Sequence, residues 1–299
     1  QTHAGGLPSN QVLPTASELK VATYNLNAAV DFDRRYAAKS RMDVVGKTFT
    51  RVAQELLLKQ ERTSATLLMT SLANATIKTS PLTGNGQVFR SALAGSLLMD
   101  DFNNLQTLAK RINSSWIGGT PTTRVRGITD LIMSPEAVAS IRSMAYNPVN
   151  TRGGDGAGGV GNASDANPLA APDSVREDLF RNAGVNSFMG LNILEFNEMG
   201  KGEKFNTLFA TAAGATNYVK FDNTASAGFN GATTQIVVGV DRSRDSLMRV
   251  VATDSESGSE MTLLADDQYS VRQNKIGYYG AIEEGRVVLD NRVLCGVIV

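Results

Sequence analysis

Apolar positions in residues 46–77 recur at the spacing of a helical face. Phe49, Val52, Ala53, Leu56 and Leu57 follow i, i+3, i+4, i+7 and i+8, and Ala65, Leu68, Leu72 and Ala73 resume the stripe. Lys47, Arg51, Gln54, Glu55, Lys59 and Arg62 fall mostly off it, and Glu55 and Lys59 form an i,i+4 pair in the favourable order. The pattern predicts one helix from Gly46 to Ile77, closed before Ser80-Pro81. At 1.5 Å per residue this is a rod of roughly 45 Å, well beyond the average globular helix. After the Gly84-Asn85-Gly86 turn, Leu93, Leu97, Leu105, Leu108 and Ile112 predict a second helix over 88–113.

Further along, Gly118-Gly119-Thr120-Pro121 breaks the chain, and Val125 to Met133 reads as a buried strand. Ser134-Pro135-Glu136 is a helix start, with Ser134 as N-cap and Pro135 in the first turn. It opens a helix over 135–145 with Val138, Ile141 and Met144 inside. Residues 147–172 are rich in Gly, Asn, Ala and Pro and read as a long flexible loop. A formal Gly-x-Gly-x-x-Gly at Gly156, Gly158 and Gly161 lies there without the preceding strand and opening helix that a dinucleotide site requires, so it is set aside. Asp173 to Asn182 reads as a short helix with acidic residues at its start. The remainder turns β-rich, with strands expected at 191–196, 205–211, 217–221, 235–240, 247–253, 261–264, 268–272 and 286–299.

The N-terminal stretch 1–19 carries Gly5-Gly6, Pro8 and Pro14 without periodicity and reads as an extended arm. Lys20 to Asp33 is roughly strand-like through Val21, Tyr24, Leu26 and Val30. Asp31, Asp33, Arg34, Arg35, Lys39, Arg41 and Asp43 then crowd into one short span. Such a run is either a solvated loop or a loop that meets a neighbouring subunit through complementary charges.

Composition removes most chemistry from consideration. Lys+Arg and Asp+Glu are both 29 in 299 residues, so the net charge is zero and the basic excess of a nucleic-acid binder is missing. The same balance removes the self-repulsion that keeps proteins apart. The one histidine is His3 and the one cysteine is Cys295, within the apolar run Val293 to Val299. This leaves no Cys/His zinc set and no plausible Ser-His-Asp or Cys-His nucleophile. The adjacent pairs Asp100/Asp101, Asp266/Asp267 and Glu283/Glu284 do not face one site, and no Walker loop or EF-hand is present. The expectation is a non-enzyme without cofactor or metal. No apolar run reaches the length of a membrane span, and residues 1–20 lack the basic start and apolar stretch of a secretory leader.

The order of elements carries a resemblance. An arm and charged loop, a very long helix, a second helix and a strand lead into Ile128-Thr129-Asp130-Leu131-Ile132-Met133-Ser134-Pro135-Glu136-Ala137. The helix Val175 to Gly184, the strand Gly190 to Leu194, the strand Val237 to Asp241 and the aromatic, Gly-flanked segment Val271 to Gly280 follow. Over most of residues 46–299 this succession resembles the major capsid proteins of tailed bacteriophages, of the Hong Kong 97-type fold.

The resemblance implies an α+β fold with axial and peripheral domains, a spine helix, an N-terminal arm and an extended loop. It implies an arm at 1–19 and an extended loop at 20–45. A peripheral domain would take 46–84 and 241–285, and an axial domain 85–240 and 286–299. It implies a shell subunit that tiles into hexameric and pentameric capsomers around double-stranded DNA, bound without sequence specificity. Portal and decoration or cement proteins would be its partners, the virion its location, and the host bacterial cytoplasm its place of assembly. Asp31, Asp33, Arg34, Arg35, Lys39, Arg41 and Asp43 would be the inter-subunit contacts. Chains of this family often lose an N-terminal segment to a maturation protease, which would suit a chain that begins at Gln1. Encapsulin nanocompartments resemble the same family and enclose cargo enzymes instead, so that reading stays open.

Overall fold

The computed structural model describes residues 20–35, 43–75, 86–114, 127–146, 177, 187–243, 246–253, 258–266 and 273–299. The expected arm at 1–19, the Gly-rich loop 147–172, most of the helix 173–182 and the strand 268–272 lie outside them.

The helical stripe produces α1, Asp43–Ala73, a single helix of 31 residues. Its buried face differs slightly from the stripe expected. Leu56 is buried, but Leu57 is 59% exposed, and Gln60 takes the next inward position. The second helix, α2, is Met99–Ser114, eleven residues later than the expected start at 88. Val88–Arg90 is instead strand β2, which pairs in parallel with the C-terminal strand. Leu93, counted above as part of the helical face, is 49% exposed in the connection. Helix α3, Pro135–Tyr146, begins as its sequence requires: the Ser134 hydroxyl accepts the Ala137 N–H at 3.1 Å and donates to Gln235 Oε1 at 2.7 Å.

Residues 205–211, expected as a strand, are helix α4, Lys204–Ala213. Phe205, Phe209 and Ala213 stand four apart and are all buried, which is a helical period. The helix stops at Gly214, whose φ of 57° favours glycine. The other strands are β1 Tyr24–Asp33, β3 Asp130–Met133, β4 Ser187–Phe188, β5 Leu191–Glu195, β6 Asn217–Val219, β7 Ser226–Gly228, β8 Ile236–Val240, β9 Leu247–Val251, β10 Thr262–Asp266, β11 Lys275–Val288 and β12 Leu294–Ile298. The stretch 286–299 is therefore not one strand. Its first three residues end β11, and a short 3-10 turn, Asn291–Val293, separates them from β12.

Two larger sheets result. One has six strands in the order β2-β12-β8-β3-β5-β4. Its central strands are buried on both faces, and successive side chains enter two different cores. Val237, Leu131, Met133, Cys295 and Val297 pack with Phe102, Leu105 and Leu108 of α2 and Ile141 of α3. Ile236, Val238, Leu294 and Ile298 face the other way, onto Met69 and Leu72 of α1 and Phe205 and Phe209 of α4. The result is a helix–sheet–helix sandwich. Cys295 is a buried hydrophobe in it, and burial pushes its thiol far up.

The second sheet has four strands. β11 lies at its centre, with β1 on one side and β10 and β9 in succession on the other. The N-terminal half of α1 covers this sheet, with Phe49 edge-on to Tyr278 at 4.8 Å between ring centroids. One helix thus packs its first half on one sheet and its last turns on the other.

Candidate assembly surface

The charged run divides at the end of β1. Asp31 and Asp33 are the last exposed-face residues of that strand, opposite Gly277 and Lys275 of β11. The Lys275 ammonium donates to Asp31 Oδ2 at 2.8 Å, and that bond holds the Asp31 carboxyl below its usual range. Asp33 Oδ1 accepts the Arg35 N–H at 2.9 Å, and the Arg34 N–H donates to the Asn274 carbonyl at 3.0 Å. Asn274 has φ of 53°, a turn conformation that lets β11 begin beside Arg34. Arg34 and Arg35 are exposed. The structure therefore gathers Asp31, Asp33, Arg34 and Arg35 at one end of the four-stranded sheet. Lys39 and Arg41 lie outside the described residues. Asp43 is the first residue of α1, and its side chain lies outside them too.

Sequence reading missed Asn274 and Lys275, because their proximity to Asp31 depends on a strand pair more than 240 residues apart in sequence.

The opposite end of the same pair is built differently. Glu284 is fully buried where β1, α1, β9 and β11 meet. Its carboxylate accepts from Tyr24 Oη at 2.8 Å, Gln60 Nε2 at 3.2 Å, Arg249 Nε at 2.8 Å and Arg286 Nε at 3.2 Å. Burial alone would raise its pKa, but the bonds from Arg249, Arg286 and Tyr24 win and hold it below the usual range. The same junction raises the Tyr24 pKa, first by burial and then through the Glu284 carboxylate it donates to. Next to it, the Thr23 hydroxyl donates to Glu283 Oε1 at 2.6 Å.

A third contact ties α1 to the other sheet. The Arg62 guanidinium grips the Glu198 carboxylate with both Nε and Nη2, the Nε distances being 2.9 and 3.1 Å. The pair lowers the Glu198 pKa, and Glu198 sits in the loop that connects β5 to α4.

The surface also carries uncovered apolar residues. Leu263 and Leu264 on the edge strand β10 are 52% and 58% exposed, and Leu194 on β5 is 59% exposed. Leu194, Met248, Leu67, Leu68 and Ile132 line an open groove of about 580 Å³ between α1, the six-stranded sheet and β9. Scattered exposed leucines need no explanation, but an apolar groove beside an edge strand is typical of a surface that meets a partner. Among the described residues, no group of three or more His, Cys, Asp or Glu could hold a metal, and no helix is long and apolar enough to cross a membrane.

No family model matches the chain, and no curated protein matches it significantly. Solved structures do match. All of this chain aligns with 79% of a chain in the capsid of a native GTA particle, at 13% identity and a TM-score of 0.51. The capsid of an empty GTA particle aligns over 99% of this chain and 80% of its own, at 12% identity and a TM-score of 0.50. The SrpI encapsulin of Synechococcus elongatus PCC 7942 aligns over 92% of this chain and 73% of its own, at 11% identity and a TM-score of 0.47. The GTA likenesses establish a shared fold, the α+β capsid fold of the Hong Kong 97 type expected from the sequence.

Proposed function

We propose that this chain, with its Hong Kong 97-type capsid fold, is a shell subunit that self-assembles into an icosahedral container for double-stranded DNA. The observation that carries the reading is the alignment of the whole chain with a GTA capsid chain. The subunit works by association, so its contact surfaces are its functional site. On this reading it is a component of the virion, built from hexamers and pentamers.

The expected domain plan is part of the proposal. The six-stranded sheet with α2, α3 and α4 corresponds to the axial domain, and α1 with β9, β10 and most of β11 to the peripheral domain, while β1, within the extended loop 20–45, pairs with β11. Supporting this, the chain leaves the six-stranded sheet after β8, builds β9, β10 and β11, and returns with β12. β11 keeps the peripheral sheet as far as Val288, so the return falls slightly later than 286. Asp31, Asp33, Arg34 and Arg35, with Lys39, Arg41 and Asp43, are the proposed charged contacts to neighbouring copies. Each exposed ion pair contributes only about 0–1 kcal/mol, but a closed shell repeats each contact in every subunit.

The test is purification of the native-length protein followed by negative-stain electron microscopy and a nuclease-protection assay. Closed shells holding protected double-stranded DNA are expected. Shells holding protein and no DNA would replace the genome container by a cargo compartment. A small soluble monomer or dimer, with no shells at any concentration, would overturn the reading.

A further inference from the structure

The connection between β2 and α2, residues 91–98, is tied together through one hydroxyl. Ser91 is buried at its start, where its N–H donates to the Ile298 carbonyl of β12 at 2.8 Å. Ser91 Oγ stands 2.7 Å from Asp101 Oδ2 and 3.1 Å from the Ser96 carbonyl oxygen, and it accepts the Leu93 N–H at 3.3 Å. Ser96 in turn donates its N–H to the Leu93 carbonyl at 3.4 Å. Residues 92–95 are exposed, and Leu97 and Leu98 are buried behind them.

A serine hydroxyl has one proton to give and two lone pairs that accept. Ser91 has two acceptors in reach, Asp101 Oδ2 and the Ser96 carbonyl, and one proton cannot serve both. A proton on Asp101 resolves the conflict: Asp101 donates to Ser91, Ser91 donates to Ser96, and the Leu93 N–H fills the remaining lone pair. With Asp101 ionised, the carboxylate takes the Ser91 proton, because a bond to a charged acceptor is the stronger one. The Ser96 carbonyl then loses that donor. The surroundings favour the protonated acid. Both groups bonded to the Asp101 carboxyl, the Leu98 N–H and the Ser91 hydroxyl, are neutral. Asp100 beside it on α2 is a like charge. Arg90 on β2 turns its Nη1 to the Gly228 carbonyl at 3.0 Å. Lys201 of the β5–α4 loop lies over the exposed part of the connection, its Nζ 3.9 Å from where a Cβ on Gly95 would stand. Among the described residues no cation pairs with Asp101. Burial without a cation favours the neutral form, and the pKa is pushed up to about 6.

We propose that Asp101, Ser91 and Ser96 form a proton-operated latch, closed while Asp101 keeps its proton, whose loss to solvent frees the Ser96 carbonyl and lets the connection 91–98 open. The latch lies within one subunit and does not depend on the shell reading. In the open form Asp101 meets water and ionises as an ordinary carboxylate, so opening is favoured as the pH rises.

Hydrogen exchange on the full chain tests the latch, with each amide referred to its unstructured rate at the same pH. Protection of the Ser96 and Leu98 amides should fall about fifty-fold from pH 4 to pH 8. Low concentrations of urea should leave their exchange unchanged, because a local opening exposes little surface. The Val238 amide, in the middle of the six-stranded sheet, should respond to urea. Asp101→Asn has no proton to lose, so its protection at Ser96 and Leu98 should be the same at both pH values. Ser91→Ala removes the relay, and Ser96 should be no better protected at pH 4 than it is in the wild type at pH 8. Equal wild-type protection at pH 4 and pH 8 overturns the latch. So does the same fall in Asp101→Asn, or exchange at Ser96 and Leu98 that follows urea as Val238 does. If Asp101→Asn does not fold, Ser91→Ala decides, and full protection of its Ser96 amide at pH 4 overturns the latch.

Discussion

Asp101 offers the sharpest test of how this core is built. It lies in the first turn of α2 and is 2% exposed. Its Oδ2 accepts the Leu98 N–H at 2.8 Å, which caps the helix, and the Ser91 hydroxyl at 2.7 Å. Both bonds favour the charged form. Burial opposes them and dominates, with neighbouring Asp100 adding to it, and the pKa is pushed up to about 6 from 3.8. The folded protein therefore prefers the protonated acid. The stability this contributes is fully present below about pH 3.8 and is lost as the pH rises through about 6. A shift of about two units at 1.36 kcal/mol each is on the order of 3 kcal/mol.

Asp101→Asn removes the titration, while the amide oxygen can still accept from Leu98 and Ser91. Urea unfolding of unassembled wild-type and variant subunits, at pH 4 and pH 8, isolates the effect. Any fixed cost of the amide is the same at both pH values and cancels. The variant should gain about 2.5 kcal/mol on the wild type between them, slightly less than the full effect because at pH 4 part of it is already lost. A stability difference that is the same at both pH values would refute the reasoning.

Three further outcomes follow from other contacts in the structure. Glu284→Gln leaves Arg249 and Arg286 facing a neutral amide and should cost about 3–5 kcal/mol, seen as a lower thermal midpoint. Because the Glu284 pKa is held down, that stabilisation is present at neutral pH and lost on acidification, so the variant should also be less acid-sensitive than the wild type. Arg62→Ala should cost no more than about 1 kcal/mol, since the Arg62 side chain is 41% exposed. Hydrogen exchange in the 196–203 loop should nevertheless quicken, and unchanged exchange there would show that the pair does not hold the loop to α1. Gly239→Ala would place a Cβ 2.7 Å from Ile128 Cδ1 and 3.1 Å from Cys295 Sγ in the middle of the six-stranded sheet. That overpacking should cost about 1–3 kcal/mol and lower the soluble yield.

What was legible in the sequence was whatever its own neighbours determine. The α1 stripe is a local period, and Ser134-Pro135-Glu136 is a local cap, so both elements could be read directly. Helix α4 was misread because 205–211 was taken together with the β-rich segments around it, although Phe205, Phe209 and Ala213 decide the matter by sharing one buried face. β11 was seen only in part because Gly277, Gly280 and Gly285 interrupt it. Their reasons lie elsewhere in the chain: Gly280 makes room for Met261, and Gly285 for Ala22. Glu283 and Glu284 read only as an adjacent pair that does not face one site. Nothing local reveals that Glu284 is buried, since Tyr24, Gln60 and Arg249 reach it from three distant segments. For the same reason the charged run gave its residues but not Lys275, the partner that one of them takes.

The position of β11 and β12 has a consequence for the order of events during synthesis. Each is an interior strand of its sheet, and both follow every other strand in chain order. β1 and Tyr24 wait 260 residues for Glu284. At ribosomal rates of about 5–20 residues per second, this is roughly ten to fifty seconds in which the early elements have no completed sheet to join. Such long-range closure is slow. Neither sheet can be completed before β11 and β12 have been made.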